Sequence, residues 1–263
     1  MALPPGPSEA EALRIDTALS TLHMPGAKRS WRALAQDAAL SGQGVPAVIA
    51  ALLETEMHNR CENALRQRLR QARFPLTKTL ESFDFAAQPS VDKTTVLALA
   101  RGDFVRQHHN AVLVGNTGTG KTHLAVGLGL ACLQMGYRVR FTTAVTLAND
   151  LMAAAAEHRL TRVLAGWRRA DLVILDELGF IPLSREGSQA LFQFIADRYE
   201  TASLLITTNL AFGQWTEVFT DPHMTAALLD RVLHHAHILE HSGTSRRFQE
   251  SLGQHTAQEL AHG

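Results

Sequence analysis

The stretch AVLVGNTGTGKT, residues 111–122, decides the fold. Four apolar residues, the length of a buried strand, run into Gly115, Asn116, Thr117, Gly118, Thr119, Gly120, Lys121 and Thr122. Glycines let the backbone turn tightly with its N–H groups inward, and a helix starting at the turn adds its positive end, so residues 115–122 are shaped to cradle phosphate. Lys121 is spaced to reach the β- and γ-phosphates of ATP, and the Thr122 hydroxyl to ligate Mg2+. From His123 the pattern continues at helical spacing until Gly136, and these two flanks set the loop apart from an ordinary glycine-rich turn.

Downstream of the loop, short apolar runs alternate with helical patterns, which predicts a parallel sheet flanked by helices, an α/β fold. Strands are expected at residues 111–114, 138–142, 172–175, 204–207 and 237–240. The second motif, LVILDE at 172–177, is a buried strand ending in two carboxylates at the edge where such sheets bind ligands. Asp176 is expected to hold the magnesium and Glu177 to polarise the water that attacks the γ-phosphate; the plainer alternative is a strand followed by a helix-capping acid. The third, LLITTN at 204–209, puts Asn209 beside the γ-phosphate if its strand neighbours the one bearing Asp176. Taken alone, an Asn after a strand is a turn residue.

Upstream the pattern is helical throughout. One helix is expected over residues 9–22, ended by Pro25 and Gly26. A second is capped by Ser30 and reaches residue 40, and a long third begins at Pro46. Pro75 breaks the third, dividing a small all-helical domain, 1–75, from an ATPase domain, 76–263. Arg66, Arg70 and Arg73 fall on one face of that helix, able to track a DNA backbone or simply to lie solvated. Phe83 and Phe85 read as anchors of a connector on the large domain, and residues 91–107 as one further helical pattern.

With 25 Lys and Arg against 25 Asp and Glu, the chain is formally neutral, so any contact with nucleic acid depends on local patches. Arg159, Arg162, Arg168 and Arg169 make a second basic run. Two distant cysteines, Cys61 and Cys132, suit free thiols in a reducing cytoplasm. No signal peptide or membrane-spanning run is legible, so no membrane partner is expected. His234, His235, His237 and His241 are dense, yet they straddle a helix-to-strand change and no carboxylate or cysteine pattern completes a metal site.

With the three motifs in place, the chain resembles the AAA+ family and, more narrowly, the IstB-like transposition helper ATPases, relatives of the bacterial helicase loaders. The resembling stretches are FDFAAQPSVD, GNTGTGKTHLAVGLG, DLVILDELGFIPLSREG, LFQFIADRYETASLLITTN and LLDRVLHHAHILEHSG, spanning residues 83–243. The resemblance implies an AAA+ P-loop fold, binding and hydrolysis of ATP with Mg2+, double-stranded DNA and a transposase as partners, and self-assembly into an oligomer. It puts the phosphate-loop lysine on Lys121, magnesium ligands on Thr122 and Asp176, the catalytic glutamate on Glu177 and the first sensor on Asn209. The arginine that such proteins supply to a neighbouring subunit falls on Arg231, whose alternative is surface pairing with Asp230 or Glu240. In this family the region of Arg159–Arg169 faces DNA.

The chain departs from the family in carrying Asn116 and Thr117 where two prolines are usual, and GTSRRF near the C-terminus where a Gly-Glu-Ser-Tyr-Arg-like run is usual, so that Arg246 and Arg247 both match its arginine and neither is assigned as a second sensor. Two other readings remain. A helicase loader shares the fold, and the ELGFIPL and RYE stretches favour the transposition branch over it. A small-molecule kinase would use the same phosphate loop, but a water-activating glutamate has no place in a phosphotransferase.

Overall fold

A computed structural model of the chain describes residues 7–219 and 221–243. The chain forms two compact units, 1–67 and 68–263, and the division falls inside the third helix.

The first unit contains α1 (Glu9–Thr21), α2 (Pro25–Ser41) and most of α3 (Val45–Ala72). Ser8 and Glu11 close a capping box at the start of α1, the Ser8 hydroxyl accepting the Glu11 N–H at 3.3 Å and Glu11 accepting the Ser8 N–H at 2.9 Å. Pro25 opens α2 where the sequence pattern made it a stop, and Ser30 lies within that helix, bonded to the Gly26 carbonyl at 3.1 Å. Helix α2 starts there because its exposed N–H groups find an acceptor far along the chain. The Glu56 carboxylate on α3 takes the N–H of Gly26 at 2.7 Å and of Ala27 at 3.1 Å, while Met24 at the cap position offers nothing. Leu19, Ala27 and Trp31 form the small core, with Ile15 and Leu52 against it.

The second unit is built on five parallel strands: β1 (Asn110–Gly115), β2 (Val139–Thr143), β3 (Leu172–Leu178), β4 (Ser203–Thr208) and β5 (Ala236–His241). Their order is β2-β3-β4-β1-β5, so β4 lies between the strand of the phosphate loop and the strand of the acidic pair. Val112 pairs with Ile206, and Ile174 with Leu205, in regular parallel register. Two short helices, α4 (Lys93–Leu99) and α5 (Asp103–Arg106), replace the single pattern over 91–107, because Gly102 in a left-handed conformation (φ 71°) separates them. Helix α6 (Lys121–Gln134) packs on β1, β3 and β4.

The main core joins Val112, Val173, Leu175, Leu204 and Ile206 of the sheet to α7 (Ala144–Ala156), α8 (Leu160–Trp167), α9 (Arg185–Arg198), α10 (Thr216–Phe219) and α11 (Pro222–Leu233). Arg198, 2% exposed, serves the lower end of this core as a donor, capping the carbonyls of Trp167 at 3.1 Å and Ala170 at 2.9 Å. No described helix is long and apolar enough to cross a membrane.

Candidate functional site

Strand β1 ends at Gly115, where φ is 147° and a Cβ would fall 2.0 Å from the backbone oxygen of His241, so only glycine fits between β1 and β5. Gly120 (φ 88°) turns the chain into α6 with the Phe83 ring against it, 2.8 Å from where a Cβ would stand. Thr119 is buried and ties the loop across itself by donating to the Asn116 carbonyl at 2.8 Å. Lys121 arches back over the loop, its ammonium donating to the carbonyls of Gly115 and Asn116, both at 2.7 Å. A cation is therefore held against the loop at the N-terminus of a 14-residue helix, the setting an anion needs.

The Thr122 hydroxyl reaches both carboxylate oxygens of Asp176, each at 3.1 Å. Asp176 is only 3% exposed, and burial pushes its carboxyl above the ordinary carboxylate range. Hydrogen bonds from Thr207 and Thr122, the Glu177 N–H and the charge of Lys121 oppose that rise. A regular strand would send Asp176 and Glu177 to opposite faces. Here the ladder slips: Leu175 pairs with Ile206 but Leu178 with Thr208, leaving one extra residue on β3, and Glu177 takes φ 59°. The bulge leaves Asp176 buried against Thr122 while Glu177 is exposed along the wall of a cavity of about 480 Å³.

That cavity brings together loop residues Thr117 to Thr122, Glu177 and Asn209, with Thr207 and Thr208 of β4 between the last two. Asn209 lines it because β4 is the neighbour of β3, the condition on which its assignment depended. The connector supplies another wall: Phe83 is buried, edge-on to Phe85 at 4.8 Å and to the His123 ring at 5.2 Å, an anchor as expected. Sequence reasoning missed Thr207, whose hydroxyl donates to Asp176 and accepts the Glu177 N–H at 2.9 Å. The signal was present as a polar residue at the tip of an apolar strand.

The remaining candidates lie elsewhere. Arg231, half-buried on α11, donates to the Ala227 carbonyl at 2.7 Å and sits 5.6 Å from the centre of the Phe192 ring. It does not line the cavity, and among the described residues it forms no ion pair with Asp230 or Glu240. Arg66 pairs with Glu62 at 3.4 Å, and Arg70 is exposed on α3. Arg73 lies beyond the helix, which ends at Ala72, and its left-handed φ of 56° takes it off the face that Arg66 and Arg70 were expected to share with it. In the second basic run Arg159 pairs with Glu157 and Arg168 with Asp197, while Arg162 and Arg169 are exposed without an ion pair among the described residues.

Among the described residues no histidine, cysteine and carboxylate group has the arrangement of a metal site. His241 instead lies beneath the phosphate loop, 1% exposed, its Nδ1 donating to the Thr119 carbonyl at 3.2 Å, and burial pushes it down to about 4. His109 stacks on His235 with ring centres 4.9 Å apart, and His234 bonds the Tyr199 hydroxyl at 2.9 Å. Both thiols are free; burial pushes Cys132 up to about 12. Arg246 and Arg247 lie outside the described residues.

Against known proteins, the profile of the IstB-like ATP binding protein family matches residues 17–254. The insertion sequence IS21 ATP-binding protein of Pseudomonas aeruginosa is 38% identical over 236 residues, covering 90% of this chain and 89% of that protein. The IS5376 counterpart of Geobacillus stearothermophilus is 35% identical, covering 90% and 94%. Among solved structures, the DnaC helicase loader aligns with a TM-score of 0.51 at 22% identity over 57% of this chain and 87% of its own. AMPPCP-bound DnaA from Aquifex aeolicus aligns with a TM-score of 0.54 at 17% identity over 69% and 56%. These two share the AAA+ P-loop fold.

Proposed function

The chain belongs to the family of IstB-like ATP binding proteins, and on that premise we propose that it is a magnesium-dependent ATPase of the cytoplasm that assembles on double-stranded DNA and recruits or activates a transposase. The observation that carries the hydrolytic part is the Thr122 hydroxyl held 3.1 Å from both oxygens of Asp176, with Glu177 the next residue and exposed to the same cavity. A hydroxyl and a carboxylate are the oxygen donors that a hard divalent cation takes, so the pair fits magnesium. When bound there, the ion supplies charge neutralisation on the β- and γ-phosphates.

The protein's own residues account for the rest. Loop N–H groups bind the phosphates, and Lys121 exchanges its two loop carbonyls for phosphate oxygens. Glu177 takes the proton of the attacking water and Asn209 orients that water, giving ADP and phosphate. The helical segment 1–75 serves as a DNA-binding domain and 76–263 as the ATPase domain. A transposase partner is favoured over a replicative helicase because the relatives that match at 35–38% identity come from insertion sequences, whereas the likeness to the helicase loader is one of fold.

The experiment is an ATPase assay with and without DNA. Lys121→Ala should lose nucleotide binding, and Glu177→Gln should bind ATP, assemble and fail to turn over. Unchanged hydrolysis by Lys121→Ala would refute the phosphate-loop reading. A transposase encoded beside this gene should be retained on DNA by this protein with ATP and not without it, and retention of a replicative helicase instead would favour the loader reading.

A further inference from the structure

The cavity holds a buried side chain that the hydrolytic reading does not use. Gln88 is 2% exposed, lines the same cavity as the phosphate loop, and its Oε1 has no hydrogen-bond partner among the described residues. Its backbone is fully engaged, the N–H donating to Phe85 at 3.2 Å and the carbonyl accepting from Val91 at 3.1 Å, so the side chain is delivered by a fixed turn. A buried amide oxygen without a donor is a costly state that a native fold keeps where a ligand completes it.

Sheet order says which part of a nucleotide it meets. Asp176 on β3 and Asn209 after β4 lie to one side of β1 and mark the γ-phosphate end. The segment following β5 lies to the other side, and the turn bearing Gln88 is bound to it: Ser90 Oγ donates to the Ser242 carbonyl at 3.1 Å and accepts the Ser242 N–H at 2.9 Å. A triphosphate laid across the loop from the acidic pair therefore runs its base toward Gln88. Phe83 and Val126 supply apolar wall to the same cavity, as a base requires.

We propose that Gln88 is the base-reading residue of the site, its Oε1 accepting a hydrogen from the 6-amino group of adenine. The assignment rests on the ATP-binding reading and adds the origin of its base selectivity. A purine lacking that amino group would leave the buried oxygen unpaired, whereas the acceptor of guanine or hypoxanthine at that position would require the Gln88 amide to turn over and donate. A site built around such a bond discriminates strongly against a ligand that lacks the donor.

The test is equilibrium binding, without magnesium, of ATP and of purine riboside triphosphate, which differs by lacking the 6-amino group. The unmodified protein should prefer ATP about tenfold or more. Gln88→Leu should bring the ratio to near one while keeping its affinity for the purine analogue, and Gln88→Glu, which retains an acceptor of the same size, should keep the preference. Equal affinity in the unmodified protein, or an undiminished ratio in Gln88→Leu, would overturn the assignment. If Gln88→Leu binds neither nucleotide, Gln88→Glu decides: a ratio near one refutes base reading. The ratio is independent of the loop test, since Lys121→Ala should lose both nucleotides alike.

Discussion

The hydroxyl of Thr207 on β4 donates to the carboxylate of Asp176 on β3, and the same oxygen accepts the N–H of Glu177 at 2.9 Å. One side chain thus fixes the position of both acids across the strand boundary, at the bulge where the ladder cannot. Thr207→Val keeps the shape and removes both bonds, leaving the Glu177 N–H without its partner. Turnover should fall about 10- to 100-fold and the magnesium concentration for half-maximal rate should rise, as when an outer partner of a metal ligand is lost. Nucleotide affinity without magnesium should stay near that of the parent. An unaltered magnesium dependence would show that Asp176 is held without Thr207.

A pH dependence follows from His241 under the loop. Burial holds it at about 4, below the ordinary 6.5, so the unfolded chain binds the proton more tightly than the folded one. Its contribution to stability is complete above pH 6.5 and is lost as pH falls through about 4. At roughly 1.4 kcal/mol per pH unit the whole effect is about 3 kcal/mol. His241→Asn can still donate to the Thr119 carbonyl but does not titrate. Urea unfolding at pH 7 and pH 4.5 should show the parent losing about 2 kcal/mol or more beyond what the variant loses. Parallel losses in the two proteins would mean that His241 is not held neutral.

The phosphate loop, the strands around it and the parallel sheet were legible because each rests on local pattern: an apolar run, a glycine turn, a helical period. Features set by distant partners were not. Pro25 starts a helix instead of ending one because Glu56, 30 residues on from Gly26, accepts the Gly26 N–H in its first turn. The bulge at Glu177 and the clamp by Thr207 depend on the pairing of β3 with β4, which no single strand reveals. His241 stood out only by the density of histidines around it, and its place beneath Thr119 comes from β5 lying against β1.

The basic residues at the end of α3 give a third prediction. Arg70 and Arg73 are exposed, but only Arg70 continues the face of Arg66, which is itself paired with Glu62. If DNA runs along this segment, each arginine that meets a phosphate contributes about one to the slope of log affinity against log salt. Arg70→Ala and Arg73→Ala should therefore each flatten the slope by about one, and Arg66→Ala by less, since releasing Glu62 offsets part of the gain. An unchanged slope in all three would shift the contact to Arg162 and Arg169, the members of the second run without an ion pair among the described residues.

The last prediction concerns Arg231. Surface pairing was its plain alternative, yet among the described residues it forms an ion pair with neither Asp230 nor Glu240; its guanidinium lies over Phe192 and donates back to its own helix at Ala227. Among the described residues that line the nucleotide cavity are Lys121 and Lys78 but no arginine, the cation that related phosphoryl-transfer sites set against the charge developing on the γ-phosphate. An arginine supplied by a neighbouring copy would complete the site, and such a residue is worth about a thousandfold or more in turnover. Hydrolysis should then require assembly, rising steeply with protein concentration on DNA. Lys121→Ala and Arg231→Ala should each be inactive alone. Mixed on DNA, they form interfaces that join an intact loop from one copy to an intact arginine from another, and part of the rate should return. Full activity of Arg231→Ala alone, or a mixture that assembles and remains inactive, would confine Arg231 to its contact with Phe192.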